Sequence, residues 1–190
     1  CDMSSDIFSR QIDISKFDLI YAGAQKNMGP AGTTLVIVKD EVLGKTGRTI
    51  PAMLDYQVHI SKDSMFNTPP VFPVYVSMLT LQWLKKLGGV PAIEKINNEK
   101  AALLYAEIDR NPLFNGFAAK EDRSTMNVTF TLANEAHKET FDKLWNDAGI
   151  SGIKGHRSIG GYRASIYNAM PIESIKVLIN AMQQFEKQVS

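Results

Sequence analysis

The sequence predicts an α/β protein, and three observations carry that reading. Two short apolar runs rich in β-branched and aromatic residues flank a glycine-rich turn near the amino end. Several later segments repeat apolar residues at helical spacing. One segment, "MNVTFTL", alternates strictly between apolar and polar residues. Short buried strands, amphipathic helices and half-exposed strands have these three patterns.

The runs "FDLIYAG" (17–23) and "TTLVIVKD" (33–40) read as buried strands. Gly23, Gly29, Pro30 and Gly32 mark turns between them. A loop-like region follows Asp40 and runs through "NTPP" (67–70). From about Pro73 to Leu87 the pattern turns helical, with Val76, Leu79, Trp83, Leu84 and Leu87 on one face. Gly88-Gly89 should end that helix, and Pro91 suits the first turn of a second helix reaching Arg110. Met126, Val128, Phe130 and Leu132 then alternate as in a half-exposed strand. "ETFDKLWNDAG" reads as a helix stopped near Gly149, and "RASIYN" (163–168) as another strand. The last helix starts near Pro171, with the stripe Ile172, Ile175, Ile179, Met182, Phe185 and Val189. Trp83 and Trp145 fit apolar helix faces and are expected in the core. The organisation changes near residue 86, which divides the chain into 1–86 and a compact α+β unit over 87–190.

Composition narrows the class of protein. The 190 residues carry 21 basic and 20 acidic side chains, a net charge of +1, so charge gives no case for nucleic acid or a membrane surface as partner. No apolar run approaches the ~20 residues that span a bilayer. Cys1 is the single cysteine, which excludes an internal disulfide and suits a reducing, cytoplasmic setting. The chain opens on Cys1 without an initiator methionine, and is expected to be part of a longer protein cut at its amino end. No metal is expected. His59, in a loop, and His137, at a helix start, are isolated from other ligand types and suit surface roles.

The turn "AGAQKNMGPAG" holds one long cation, Lys26, among small residues. A lysine in a turn is ordinarily a solvated surface group. The alternative is a carbonyl-bonding amine, which needs a constrained and partly desolvated position. A second cluster, "GHRSIGGYR", sets His156, Arg157 and Arg163 in a glycine-rich segment. Such a loop is ordinarily solvated, but the arginine fork also suits carboxylate and phosphate.

"YAGAQKNMGPAG", with "DMSSD", "MFNTPP" and "GHRSIGGYRASIYNAM", resembles the phosphoserine aminotransferases, a family of fold-type I enzymes that use pyridoxal 5'-phosphate. The resemblance runs from Cys1 almost to the carboxyl end, with its motifs in order. It implies the carboxyl-terminal part of that fold: a remnant of the large cofactor domain (1–86) and a small α+β domain (87–190). It implies that Lys26 bonds the cofactor and that Asp2 pairs with the pyridine nitrogen. It further implies that Gln25, Asn67 and Thr68 contact the cofactor phosphate, the last two in the partner subunit of a homodimer. By the same resemblance Arg163 takes the substrate α-carboxylate. His156 and Arg157 take the distal anion, a phosphate or the glutamate γ-carboxylate.

The implied reaction moves an amino group between glutamate and 3-phosphohydroxypyruvate, giving phosphoserine and 2-oxoglutarate in serine biosynthesis. Alone, this chain is expected to hold cofactor poorly and to be inactive. The alternatives are a catalytically silent fragment with a dimer-contact or structural role, or the same chemistry on a different amino acid–oxo acid pair.

Overall fold

A computed structural model describes residues 1–155 and 160–189. The chain divides into two compact units, Cys1–Val90 and Pro91–Ser190. His156 and Arg157 lie outside the described residues.

The first unit is built on an antiparallel pair, β1 (Leu19–Gly23) and β2 (Thr34–Val38), in the register Leu19↔Val38 to Gly23↔Thr34. The amino-terminal residues run parallel beside β1. Cys1 O accepts from Tyr21 N–H at 3.0 Å, and Met3 N–H donates to Tyr21 O at 2.8 Å. Met3, Ile7, Ile20 and Ala22 form a small core, bordered by Phe8, Ile12, Phe17, Leu35 and Ile37.

Both strands lie where the apolar runs predict them, but neither is buried throughout. Tyr21 in β1 is exposed, and no residue of β2 is fully buried. A continuous apolar run becomes a fully buried strand only when both sheet faces are covered. Here β2 pairs with β1 alone among the described residues.

The region after Asp40, expected as loop, contains α1 (Tyr56–Ser61), with His59 inside it rather than in a loop. Asp55 caps α1 by accepting from Gln57 N–H at 2.9 Å. α2 spans Val71–Lys86 and stops before Gly88, whose φ of +111° favours glycine. Its expected inner face is not the observed one. Ser77 and Leu84 are buried, whereas Trp83, predicted for the core, is 41% exposed. Apolar residues circle this helix, including Val71, Phe72, Val74, Tyr75 and Met78, so periodicity could not say which side is covered.

The second unit packs three helices on a three-stranded antiparallel sheet of order β3-β4-β5. α3 (Gly89–Arg110) lies almost wholly within it. β3 (Phe114–Gly116), β4 (Asn127–Leu132), α4 (Lys138–Asp147), β5 (Tyr162–Ser165) and α5 (Ile172–Val189) follow. β4 buries Val128, Phe130 and Leu132, as its alternation predicts. β5 ends at Ser165 and is shorter than "RASIYN" suggested. Phe114, Phe130, Phe141, Tyr162 and Phe185 meet in one aromatic cluster. Phe141 has ring centroids at 5.0 Å from both Phe114 and Tyr162, and at 5.2 Å from Phe185. Trp145 is buried here as expected. Among the described residues no helix is long and apolar enough to cross a membrane.

Three carboxylates of this unit sit below their usual range. Hydrogen bonds from Arg123 lower Asp109. Burial raises Glu107, but donors from Arg110, Asn111 and Gln183 outweigh it. Burial likewise raises Asp142, and Tyr162, Trp145 and Lys154 prevail. Below the unfolded value of about 4, the unfolded chain binds protons that the folded chain refuses, so stability falls with pH. Melting followed by circular dichroism should show a level transition temperature from pH 7 to 5 and a marked drop by pH 3. A level profile down to pH 3 would contradict the ion-paired carboxylates.

Candidate active site

The turn between β1 and β2 is one helical turn fixed at both ends. Ala24 N–H donates to Thr33 O at 3.0 Å, and Ala24 O accepts from Met28 N–H at 3.1 Å and Gly29 N–H at 2.7 Å. Its helical phase turns Ala24, Asn27 and Met28 inward and leaves Gln25 and Lys26 outside. Asn27 is buried, and its Nδ2 donates to Ser5 O at 3.0 Å and Ile7 O at 3.3 Å. The turn is therefore stapled to the segment that follows Asp2. Lys26 is constrained in its backbone, as the amine chemistry requires. It is exposed rather than desolvated, because that helical phase aims it at solvent.

Gly29 is needed for close approach. A Cβ there would lie 2.5 Å from Ser77 Oγ and 3.1 Å from Ser77 Cα, so α2 packs directly on the lysine turn. At Gly23 a Cβ would meet the Gln25 amide at 2.5 Å; the glycine leaves room for that side chain to fold back over β1.

Asp2 stands within electrostatic reach of Lys26. Its Oδ1 accepts from Ser4 N–H at 2.8 Å and Ser4 O–H at 2.6 Å, while Ser4 Oγ accepts from Gly23 N–H at 3.0 Å. The Ser4 hydroxyl and backbone bonds, the Tyr21 phenol and the Lys26 charge together hold this carboxyl below its usual value. In return the Asp2 charge raises the Tyr21 phenol. The result is a fixed anion and a primary amine at the same end of the sheet. Sequence reasoning picked out Asp2, Gln25 and Lys26 but missed Ser4, which orients the anion through two hydrogen bonds, and Tyr21, whose phenol helps to hold it ionised. The Asp-x-Ser spacing of "DMSSD" is the signal that could have found Ser4, since a short side chain two residues on often closes such a turn.

Asn67 and Thr68 stand exposed ahead of α2, joined by a 3.2 Å bond from Asn67 Nδ2 to Thr68 O. Arg163 belongs to the second unit. It sits on β5 opposite Thr129, exposed, with its N–H donating to Ile153 O at 2.7 Å. It borders a cleft of about 130 Å³ with Phe117, Thr129, Thr131, Gly155 and Gly160. Among the described residues no His, Cys, Asp and Glu group could hold a metal ion.

A family model, "Aminotransferase class-V", matches residues 1–178. The chain belongs to that family. It is 71% identical over 189 residues to the phosphoserine aminotransferase of Flavobacterium psychrophilum, covering all of this chain and 53% of that relative. The chain spans about half the length of the curated relatives it matches. A structure reporting radiation damage of the Schiff base in phosphoserine aminotransferase superposes with a TM-score of 0.93 at 49% identity, covering 98% of this chain and 52% of that one. Pyridoxal phosphate-bound phosphoserine aminotransferase from Trichomonas vaginalis superposes at 0.89 with 36% identity, covering 96% and 52%. The mixed α/β fold is that of the fold-type I aminotransferases.

Proposed function

We propose that this chain is part of a pyridoxal phosphate-dependent aminotransferase acting on glutamate and 3-phosphohydroxypyruvate, with phosphoserine and 2-oxoglutarate as products. The observation that supports the reading is the pinned turn that presents the exposed Lys26 amine at the end of β1, the strand along which Asp2 lies. The names of the relatives at 71% and 49% identity support the substrate pair.

The donor set fits the cofactor. Lys26 offers a primary amine for its aldehyde, Asp2 an anion for a protonated ring nitrogen, and Gln25 an amide for its phosphate, with Asn67 and Thr68 adding donors across a homodimer. When bound, pyridoxal phosphate supplies an exchangeable carbonyl and a ring that accepts the electrons left by a departing α-proton. This chain's own residues do the rest. Lys26 Nζ, once free, takes a proton from the substrate α-carbon and returns it elsewhere, work for which neither a guanidinium nor a hydroxyl is suited. Asp2, kept ionised by Ser4 and Tyr21, keeps the ring nitrogen protonated. Arg163 binds the α-carboxylate common to both amino acids, and His156 and Arg157 bind the distal phosphate or γ-carboxylate.

In this reading Cys1–Val90 is a remnant of the large cofactor domain and Pro91–Ser190 the small carboxyl-terminal domain. The working enzyme is a cytoplasmic homodimer. The isolated chain is inactive: Lys26 and Asp2 are both exposed, and so are Leu54, Val71 and Phe72, at 69–71%.

The substrate assignment is tested in the full-length enzyme with Arg157→Ala. Losing a charged hydrogen bond to phosphate costs about tenfold or more in kcat/KM. 3-Phosphohydroxypyruvate should suffer that loss, and hydroxypyruvate, which lacks the phosphate, much less. Equal losses on both would assign the enzyme to another amino acid–oxo acid pair.

A further inference from the structure

Lys100, on α3, is a buried cation that no motif or periodicity singles out. It is 0% exposed, and its ammonium donates to three backbone carbonyls: Ile166 at 2.9 Å, Tyr167 at 2.8 Å and Met170 at 3.1 Å. All three of its protons are used. One turn earlier on the same helix face, Asn97 Nδ2 donates to Asn168 Oδ1 at 2.9 Å. Both residues grip the segment where the chain leaves β5. From the sheet side, Ile166 N–H donates to Met126 O at 2.9 Å. Asn127 Oδ1 accepts from Ser165 O–H at 3.3 Å and Tyr167 O–H at 3.1 Å.

An apolar side chain at position 100 would fill the space but leave three carbonyls without their donor, the bond to Ile166 being buried and those to Tyr167 and Met170 partly so, and a buried acceptor without a partner is costly. The grip therefore specifies geometry as well as filling volume. Arg163 lies three residues before Ile166 on a strand of four. On such a short strand a slip of one residue would carry Arg163 to the core face and Ala164 to solvent.

We infer that Lys100 is a positioning residue for Arg163, fixing the exit of β5 and with it the aim of that guanidinium at a substrate carboxylate. The inference rests on the carboxylate-binding role proposed for Arg163. Because Arg163 would meet the α-carboxylate of every substrate, disturbing its aim weakens binding of both amino acids while leaving the proton-transfer groups of the first unit intact.

The test uses Lys100→Met, which keeps length and removes the donors. In the full-length enzyme, KM for glutamate and for phosphoserine should each rise about tenfold, with kcat changed less than about threefold. In the 190-residue chain, amide exchange at Arg163 and Ile166 should quicken at least about tenfold relative to Phe130. Asn97→Ala, which removes only the smaller half of the grip, should shift both readouts the same way by less. It decides the matter if Lys100→Met does not fold. Faster exchange with an unchanged KM in the variant that folds would reduce Lys100 to a structural residue and overturn the inference. Arg163→Lys separates the two readings. An unchanged KM there overturns the Arg163 role, and the inference with it. A raised KM there, with none in Lys100→Met or Asn97→Ala, overturns the Lys100 inference alone.

Discussion

Lys26→Ala is expected to abolish amino transfer in the full-length enzyme, lowering kcat by at least about 10³-fold, since in the proposed function that amine is both the covalent anchor and the proton carrier. Folding should be untouched. The turn is held by backbone bonds at Ala24 and by the buried Asn27 side chain, none of which involves the lysine side chain. An exposed side chain away from such features contributes within about 0.5 kcal/mol, so the melting temperature should stay level. Lys26→Arg sharpens the test: it keeps the positive charge near Asp2 but provides no free amine, and should be as inactive as alanine. Activity retained by arginine would make position 26 an electrostatic site. Activity retained by both would remove it from the chemistry.

Phe141→Ala should be the most damaging single change to folding. Phe141 is 0% exposed and touches the rings of Phe114, Tyr162 and Phe185, so truncation empties the centre of the aromatic cluster. Such changes cost about 3–5 kcal/mol, against total domain stabilities of about 5–15 kcal/mol. For a unit of this size the transition should fall by at least about 12 °C, with loss of near-ultraviolet circular dichroism. Phe117→Ala is the control: Phe117 is 59% exposed, and its removal should cost little. A loss under about 1 kcal/mol for Phe141→Ala would mean that the cluster is not the centre of the second unit.

What could be read from the sequence follows from how locally each feature is encoded. The alternation around Val128, Phe130 and Leu132 and the stripe through Ile175, Met182 and Phe185 state both the element and its buried face. α2 states only the element. With apolar residues all around, its inner face is decided by the small pair Gly29 and Ser77, a tertiary contact with no local signal. β3 was missed because three residues carry no period, and α1 because a single turn and a half sits among loop residues.

The site divides the same way. Lys26 stands out because it is the one cation in a turn of small residues, whereas Asp2, by itself an ordinary aspartate near a chain end, is singled out only by the family resemblance. Ser4 and Tyr21 matter through contacts with Asp2, and Lys100 through contacts 66 to 70 residues away. In sequence, Lys100 is one more polar residue in "NNEKAALL". Its burial becomes visible only when the turn after β5 presents three carbonyls to α3.

The Lys26 nitrogen is the decisive atom of the proposed chemistry. The full-length protein, incubated with pyridoxal phosphate, reduced with borohydride and digested, should lose its visible absorption and carry the added cofactor mass on the peptide containing Lys26. Cofactor mass on a different lysine, or none on any peptide from a protein that still transaminates, would contradict it.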